Sequence, residues 1–253
     1  MHMRPNEIAA WLRGRVSMAG ADGLAVGLSG RVDSAVVARL CQMAVPDRVV
    51  GVVLPCESDP RDEEDALLIG DHFKLPLVRA DLGPVFQRLA TDLQSGLSNV
   101  AGPRPRQEDG DGPSSPLASL KPRLRAASLS FVASSLNYLV AGTGNRCAVV
   151  LGHCPTDGDG AADVLPLGAL LKSDVYALAR DVAVPKSIIE KDSSDGSWLP
   201  PSGERDRGFT YSDLEHYLAD GPDGVAPAVA LRIERMMRTS EHKRASPPIP
   251  DGA

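Results

Sequence analysis

Aromatic side chains are scarce in this chain: Phe, Trp and Tyr make up 4% of its 253 residues. A core short of rings has to be filled by Ala, Val and Leu, a composition that suits helices packed on a parallel sheet. Cysteine is as sparse. Cys41, Cys56, Cys147 and Cys154 form no Cys-x-x-Cys pair and lie in no secretory context, so they read as buried reduced thiols. No run approaches the roughly 18 apolar residues of a membrane span. No basic, apolar, small-residue stretch marks an export signal either. These absences predict a cytoplasmic protein with no membrane partner. A surplus of positive charge is missing too: 27 Lys and Arg against 33 Asp and Glu leave a formal net charge of −6, which argues against nucleic acid as a partner.

What is present is an ordinary globular balance, 43% hydrophobic and 24% charged, in a chain long enough to bury a sizeable core. Ile8, Ala9, Leu12 and Val16 recur at helical spacing and predict an amphipathic helix over 6–19, broken at Gly20 to Gly23. The short apolar run 24–28 reads as a strand, and 34–43 as the helix that follows a tight turn. The alternation repeats, with a buried strand at 48–54, an acidic-starting helix at 60–73 and a third strand at 75–80. Such alternation implies right-handed crossovers and a parallel sheet covered on both faces. Residues 95–119 turn to Gly, Pro, Ser and charge, which reads as a mobile loop. A helix is expected over 120–141, a fourth strand at Val149 and Val150, and a short helix at 172–180. A second Gly- and Pro-rich loop covers 196–208, followed by helices at 209–218 and 227–238 and a flexible tail at 246–253. The expected fold is one α/β domain over 1–253, a parallel sheet with helices on both faces.

The segment Gly27-Leu28-Ser29-Gly30-Arg31-Val32-Asp33-Ser34 sits where a parallel strand ends and a helix begins. Backbone N–H groups and the helix dipole favour an anion there. Gly27 and Gly30 permit positive φ and close approach, and Ser29 and Ser34 offer hydroxyls to phosphate oxygens. Asp33 can hold Mg²⁺ against them. No Gly-Lys-Ser/Thr sequence follows, so this is not a Walker loop. A glycine turn without a ligand has the same spacing.

Residues 29–34 resemble the Ser-Gly-Gly-x-Asp-Ser loop of the ATP pyrophosphatases, with Arg31 at the second glycine. If that position needs positive φ, a side chain there costs about 1 kcal/mol; otherwise the guanidinium can reach back to the phosphates. Further segments follow in order: Lys121-Pro122-Arg123-Leu124-Arg125, Gly142-Thr143-Gly144-Asn145-Arg146, the Gly158 to Gly168 turn, Lys172, Ile188-Ile189-Glu190-Lys191, Gly208-Phe209-Thr210-Tyr211 and Ser240-Glu241-His242-Lys243-Arg244. From about Leu24 to Pro248 they resemble the ammonia-dependent NAD synthetase family.

That resemblance implies an adenine nucleotide alpha hydrolase-like fold, with ATP at the carboxyl ends of the strands. It implies a ligase in which a small-molecule carboxylate attacks the α-phosphate of ATP and ammonia then splits the acyl-adenylate. Gly27, Ser29, Gly30, Arg31, Val32, Asp33 and Ser34 would line the pyrophosphate, with Asp33 also the metal ligand. Arg123 and Arg125 would clamp phosphate, or else form a solvated helix start. Thr143, Lys172 and Ser194 would lie along the nucleotide. Asp159, Asp163, His242 and Lys243 would face the acceptor, with Asp33, Lys172 and Asp159 in the catalytic roles; turn-forming aspartates and a solvated tail are the plainer readings. The resemblance also implies a homodimer, with helices 6–19 and 209–218 as contact elements, and free ammonia or a separate amidotransferase.

Departures gather on the acceptor side. Ala148 stands where the family has a second metal-binding acid. Cys154-Pro155-Thr156-Asp157 replaces Phe-Thr-Lys-Tyr, Pro201-Ser202-Gly203-Glu204 replaces Gln-Thr-Asp-Glu, and Ser119 replaces Asn. The expected acceptor is therefore an altered carboxylate. Two alternatives are a catalytically degenerate nucleotide-binding relative and a sulfur-transferring ATP pyrophosphatase using Cys147 or Cys154.

Overall fold

A computed structural model describes residues 3–98, 100, 116–152, 161–191 and 208–245. Its elements in chain order are α1 (Pro5–Ala19), β1 (Gly23–Gly27), α2 (Val32–Ala44), β2 (Val49–Val53), α3 (Pro60–Phe73), β3 (Leu77–Arg79) and α4 (Gly83–Ser98). They continue as α5 (Pro116–Leu136), β4 (Tyr138–Ala141), α6 (Arg146–Val150), α7 (Lys172–Asp181), α8 (Lys186–Glu190), α9 (Tyr211–Asp220) and α10 (Pro227–Thr239). Single 3₁₀ turns at Pro222–Gly224 and Glu241–Lys243 flank α10.

The expected α/β architecture is the one observed: four parallel strands in the order β3-β2-β1-β4. Val164 adds an isolated parallel bridge beside Ala141. β1 and β2 read as unbroken apolar runs because both faces are covered. One face carries α1, α2, α3, α7 and α8, packing Leu12, Leu40, Ile69, Val175 and Ile188 over Leu24 and Val26. On the other, Phe86 of α4 and Ala133 of α5 pack on Ala25, Val50, Val52 and Val140. A fully buried aliphatic side chain contributes about 1.5–3 kcal/mol, so this two-sided core can do without aromatic rings.

Three expectations are corrected. The helix expected to run to residue 141 stops at Leu136, because Asn137 takes the left-handed conformation at φ 54 that ends helices. Its side chain donates to Gly20 O at 3.2 Å and to Asp22 Oδ2 at 2.9 Å, anchoring the turn beside the start of β1. Tyr138–Ala141 is then the fourth strand, whereas Val149 and Val150 belong to α6. Asn145 caps that helix with its side-chain oxygen, 3.1 Å from the Ala148 N–H. The loop expected over 95–119 is helical up to Ser98 and again from Pro116; residues 101–115, 196–207 and the tail from 246 lie outside the described residues. Helix α4 was not anticipated at all. Among the described residues no helix is long and apolar enough to cross a membrane.

The strand order turns about β1. The chain builds outward through β2 and β3, then returns to lay β4 on the opposite side of β1, so the loops after β1 and β4 diverge and leave a crevice at their carboxyl ends. Close approach at the other end of β1 requires glycine: a Cβ on Gly23 would lie 2.2 Å from Arg48 O and 2.7 Å from the Tyr138 ring. Gly23→Ala is expected to destabilise the chain by about 2–3 kcal/mol. For a protein of this size that lowers Tm by about 4–12 °C, measured by calorimetry.

Candidate functional site

The β1–α2 connection follows from local rules. Gly30 sits at φ 74, the left-handed region, and a Cβ there would lie 2.3 Å from Asp62 O. Arg31 has φ −114 and ψ 159, ordinary extended backbone at the N-cap of α2. The position that differs from the Ser-Gly-Gly-x-Asp-Ser pattern is therefore unstrained, and the steric cost considered for it does not arise. Val32, Asp33 and Ser34 form the first turn of α2, where N–H groups have no intrahelical acceptor. Ser34 is fully buried, and its hydroxyl donates to Arg31 O at 2.8 Å. Ser34 Oγ in turn accepts from the Ser29 N–H and the Ser29 hydroxyl, each at 3.2 Å. The two serines thereby hold the loop closed on itself.

Asp33 is the junction. Its Oδ1 accepts from the Asn145 amide at 2.8 Å, and its Oδ2 accepts from the Lys172 ammonium. The Lys172 side chain is 6% exposed and that of Asp33 15%. Lys172 opens α7, and its ammonium also lies 5.4 Å from the Tyr176 ring centroid. Burial works against the ammonium. Attraction to Asp33 and their hydrogen bond outweigh it, with Tyr176 and Tyr211 adding, so the Lys172 pKa lies above the ordinary lysine value. Asn145 is buried and uses both ends of its amide, one on Asp33 and one on the α6 cap.

The structure thus brings Gly27, Ser29, Gly30, Arg31, Val32, Asp33, Ser34 and Lys172 to the carboxyl end of β1. Thr143, half-buried, lies in the loop after β4 that also carries Asn145. Arg125 reaches from α5 to the end of β2, donating to Leu54 O at 3.1 Å and Ser58 Oγ at 3.0 Å. Arg123 is half-buried and donates to Ser119 O. Asp163 accepts the Val140 N–H at 2.7 Å and extends the edge of β4. His242 and Lys243 are exposed on the last 3₁₀ turn. That turn is held to the end of α6 by Arg244, which donates to Val150 O and Met237 O. Asp159 and Ser194 lie outside the described residues. Asn145 was not assigned a role from the sequence; the available signal was an Asn after Gly-Thr-Gly, just where a strand gives way to a helix.

Among the described residues no three His, Cys, Asp or Glu side chains gather as a metal cage. Asp33 alone still suits Mg²⁺, which commonly keeps its waters and binds through one carboxylate together with substrate phosphates. Cys147 is buried, and burial pushes its thiol up to about 11, which keeps it protonated near neutrality.

The family model for NAD synthase matches residues 5–247. The chain belongs to the NAD synthase family. It is 42% identical over 247 residues to the NH(3)-dependent NAD(+) synthetase of Carboxydothermus hydrogenoformans, covering 98% of this chain and 96% of the relative. It is 38% identical over 244 residues to that of Syntrophomonas wolfei subsp. wolfei, covering 96% and 94%. Among solved structures, NMN synthetase from Francisella tularensis matches with TM-score 0.83 at 28% identity over 98% of this chain and 97% of that one. NAD+ synthetase from Burkholderia pseudomallei matches with TM-score 0.75 at 27% identity over 96% and 89%. The family's general reaction is ATP-dependent amidation of a carboxylate by ammonia, a carbon–nitrogen ligation.

Removing either member of the buried pair has unequal consequences. Asp33→Asn strands an ammonium in the interior and is expected to cost about 3–5 kcal/mol. Lys172→Met leaves a carboxylate that keeps Asn145 and some solvent, at a cost of about 1–2 kcal/mol. Thermal denaturation of the two variants checks the order.

Proposed function

We propose that this chain binds ATP, adenylates a pyridine carboxylate nucleotide and transfers ammonia to it, and that its acceptor is nicotinate mononucleotide in preference to nicotinate adenine dinucleotide. The observation that carries the adenylation half is the Asp33–Lys172–Asn145 junction beside the Ser29–Ser34 loop, at the crevice between β1 and β4. What supports the altered acceptor is that the departures at Cys154 to Asp157 and Pro201 to Gly203 fall in segments that the resemblance assigns to the acceptor side. The likeness to a protein described as NMN synthetase adds to it, since an amide product of that kind derives from the mononucleotide acid.

In this reading a carboxylate oxygen attacks the α-phosphorus, the bond to the bridging oxygen breaks, and pyrophosphate departs with the electron pair. The first-turn N–H groups of α2 and the Ser29 hydroxyl hold that leaving group, while the buried Ser34 hydroxyl keeps the loop in shape. Lys172 supplies fixed positive charge at the phosphates, kept protonated by its surroundings. Ammonia then attacks the acyl carbon, AMP leaves, and the surplus proton passes to solvent. Asp33 would hold Mg²⁺, which when bound neutralises part of the polyphosphate charge. Ala148 sits in the first turn of α6, three residues after Asn145, without an acid to share that task. The chain acts as a cytoplasmic homodimer supplied with free ammonia or by a separate amidotransferase. The unstrained Arg31 does not favour a degenerate relative, and the buried Cys147 thiol does not favour sulfur transfer through that residue; Cys154 lies outside the described residues.

Assays with ATP, Mg²⁺, ammonium and each acid should give AMP, pyrophosphate and amide in equal amounts, with kcat/KM at least roughly tenfold higher for the mononucleotide. Equal or better turnover of the dinucleotide defeats the altered acceptor, and no AMP from either acid defeats adenylation. Lys172→Met is expected to lower kcat by roughly 10²–10³. Ala148→Glu should reduce the Mg²⁺ needed for half-maximal turnover by roughly 3- to 10-fold, because a second carboxylate adds charge to the site; a magnesium titration reads it out.

A further inference from the structure

Next to the phosphate loop lies an ionic quartet that the reaction as described does not use. Asp62 and Asp65 stand in the first two turns of α3, and Lys191 follows directly on α8. Lys191 Nζ is 2.9 Å from Asp62 Oδ1 and 2.5 Å from Asp65 Oδ2. The other oxygen of Asp62 faces Arg31, with Nη2 to Oδ2 at 3.5 Å and both side chains 24% exposed. Among the described residues, two cations thus face two carboxylates. Lys191 binds closely and to both acids, while Arg31 stands off at the far edge of the contact range.

The backbone explains why these groups meet. The left-handed turn at Gly30 lays the loop against the first turn of α3, leaving no room for a side chain between Gly30 and Asp62 O. Arg31 is also the N-cap of α2, one residue before the N–H groups that would face an anion. Its guanidinium therefore faces the Asp62 carboxylate on one side and stands within reach of a polyphosphate seated at Ser29–Ser34 on the other. A partly exposed pair at 3.5 Å is weakly held. A polyphosphate carries several charges and accepts a guanidinium bidentately, so it wins the exchange.

We infer that Asp62 is a positioning residue that holds Arg31 back from the phosphate loop until a polyphosphate displaces it, with Lys191 as the counter-ion that stays behind. Lys191 matters because, once Arg31 leaves, two bare carboxylates would otherwise face the incoming anion; with Lys191 in place a single negative charge remains. Asp62 then sets phosphate affinity through Arg31 by competing for it. This inference rests on the adenylation reading above.

The test uses inorganic pyrophosphate as probe, with Kd measured by calorimetry at fixed low salt on the full chain, R31G, D62N and the double variant. R31G should bind 3- to 10-fold more weakly than the parent. D62N should bind 3- to 10-fold more tightly, and in the R31G background the same change should shift Kd less than twofold. An unchanged or weaker D62N, or an equal gain with and without Arg31, overturns the inference. A measurement on the unaltered chain stands beside it in case D62N does not fold: the Arg31 Nε–H resonance, assigned with R31G, should shift as pyrophosphate is added, and a resonance that stays put overturns the exchange. If the parent chain binds no pyrophosphate at all, the adenylation reading falls too; binding with an additive cycle removes only the role of Asp62.

Discussion

One carboxylate organises the site. Asp33 stands in the first turn of α2, where a negative charge is favoured by the helix dipole, and takes one hydrogen bond from each of two elements far away in sequence, Asn145 after β4 and Lys172 at the start of α7. A lysine 6% exposed is stable only with such a partner. The crevice created by the strand order is therefore also closed at its base by a charge pair. The loop after β1, the loop after β4 and the first turn of α7 cannot drift apart without exposing or stranding an ion.

Around that junction the phosphate side is tightly specified. The Ser29–Ser34 hydroxyl contact, the left-handed Gly30 and the extended Arg31 together fix the path of the backbone, and none of them strains a side chain. The substitution of arginine for glycine costs the loop nothing in conformation because the positive φ falls one residue earlier. Its effect is electrostatic instead: it places a guanidinium at the mouth of an anion site and draws Asp62 and Lys191 of neighbouring elements into the same charge balance.

Much of this could be read in the chain without coordinates. The strand, glycine turn and helix at 24–43 were legible because apolar periodicity and turn chemistry agree there. The same holds for α1 and α3, where helical spacing is regular and the ends are marked by Pro5, Pro60 and Gly20. The region after residue 120 was misread where local signals conflict. Leu136 to Ala141 continues an apolar pattern that suits either state, and only Asn137 marks the break; Val149 and Val150 favour strands by their branching, yet the Asn145 cap and the packing of Cys147 and Leu151 with Leu214 and Ile233 make the segment helical. Helix α4 carries a helical signal in Phe86, Leu89, Ala90, Leu93 and Leu97 that the sequence reading does not use; of these Phe86 and Ala90 are buried, while Leu93 and Leu97 remain exposed.

The order of motifs along the chain was enough to assign the family, because turn residues, strand lengths and helix faces are local properties written in a few consecutive side chains. Arg31, by contrast, was ambiguous until its φ and its neighbour Asp62 were known. Asn145 looked like one letter of a motif until Asp33 was found against it. These contacts, an amide hydrogen bond and an ion pair, join residues 112 and 139 positions apart. Folding alone brings such groups within hydrogen-bond distance, since nothing in the identity of a lysine or an asparagine says which distant carboxylate the packed helices will set before it.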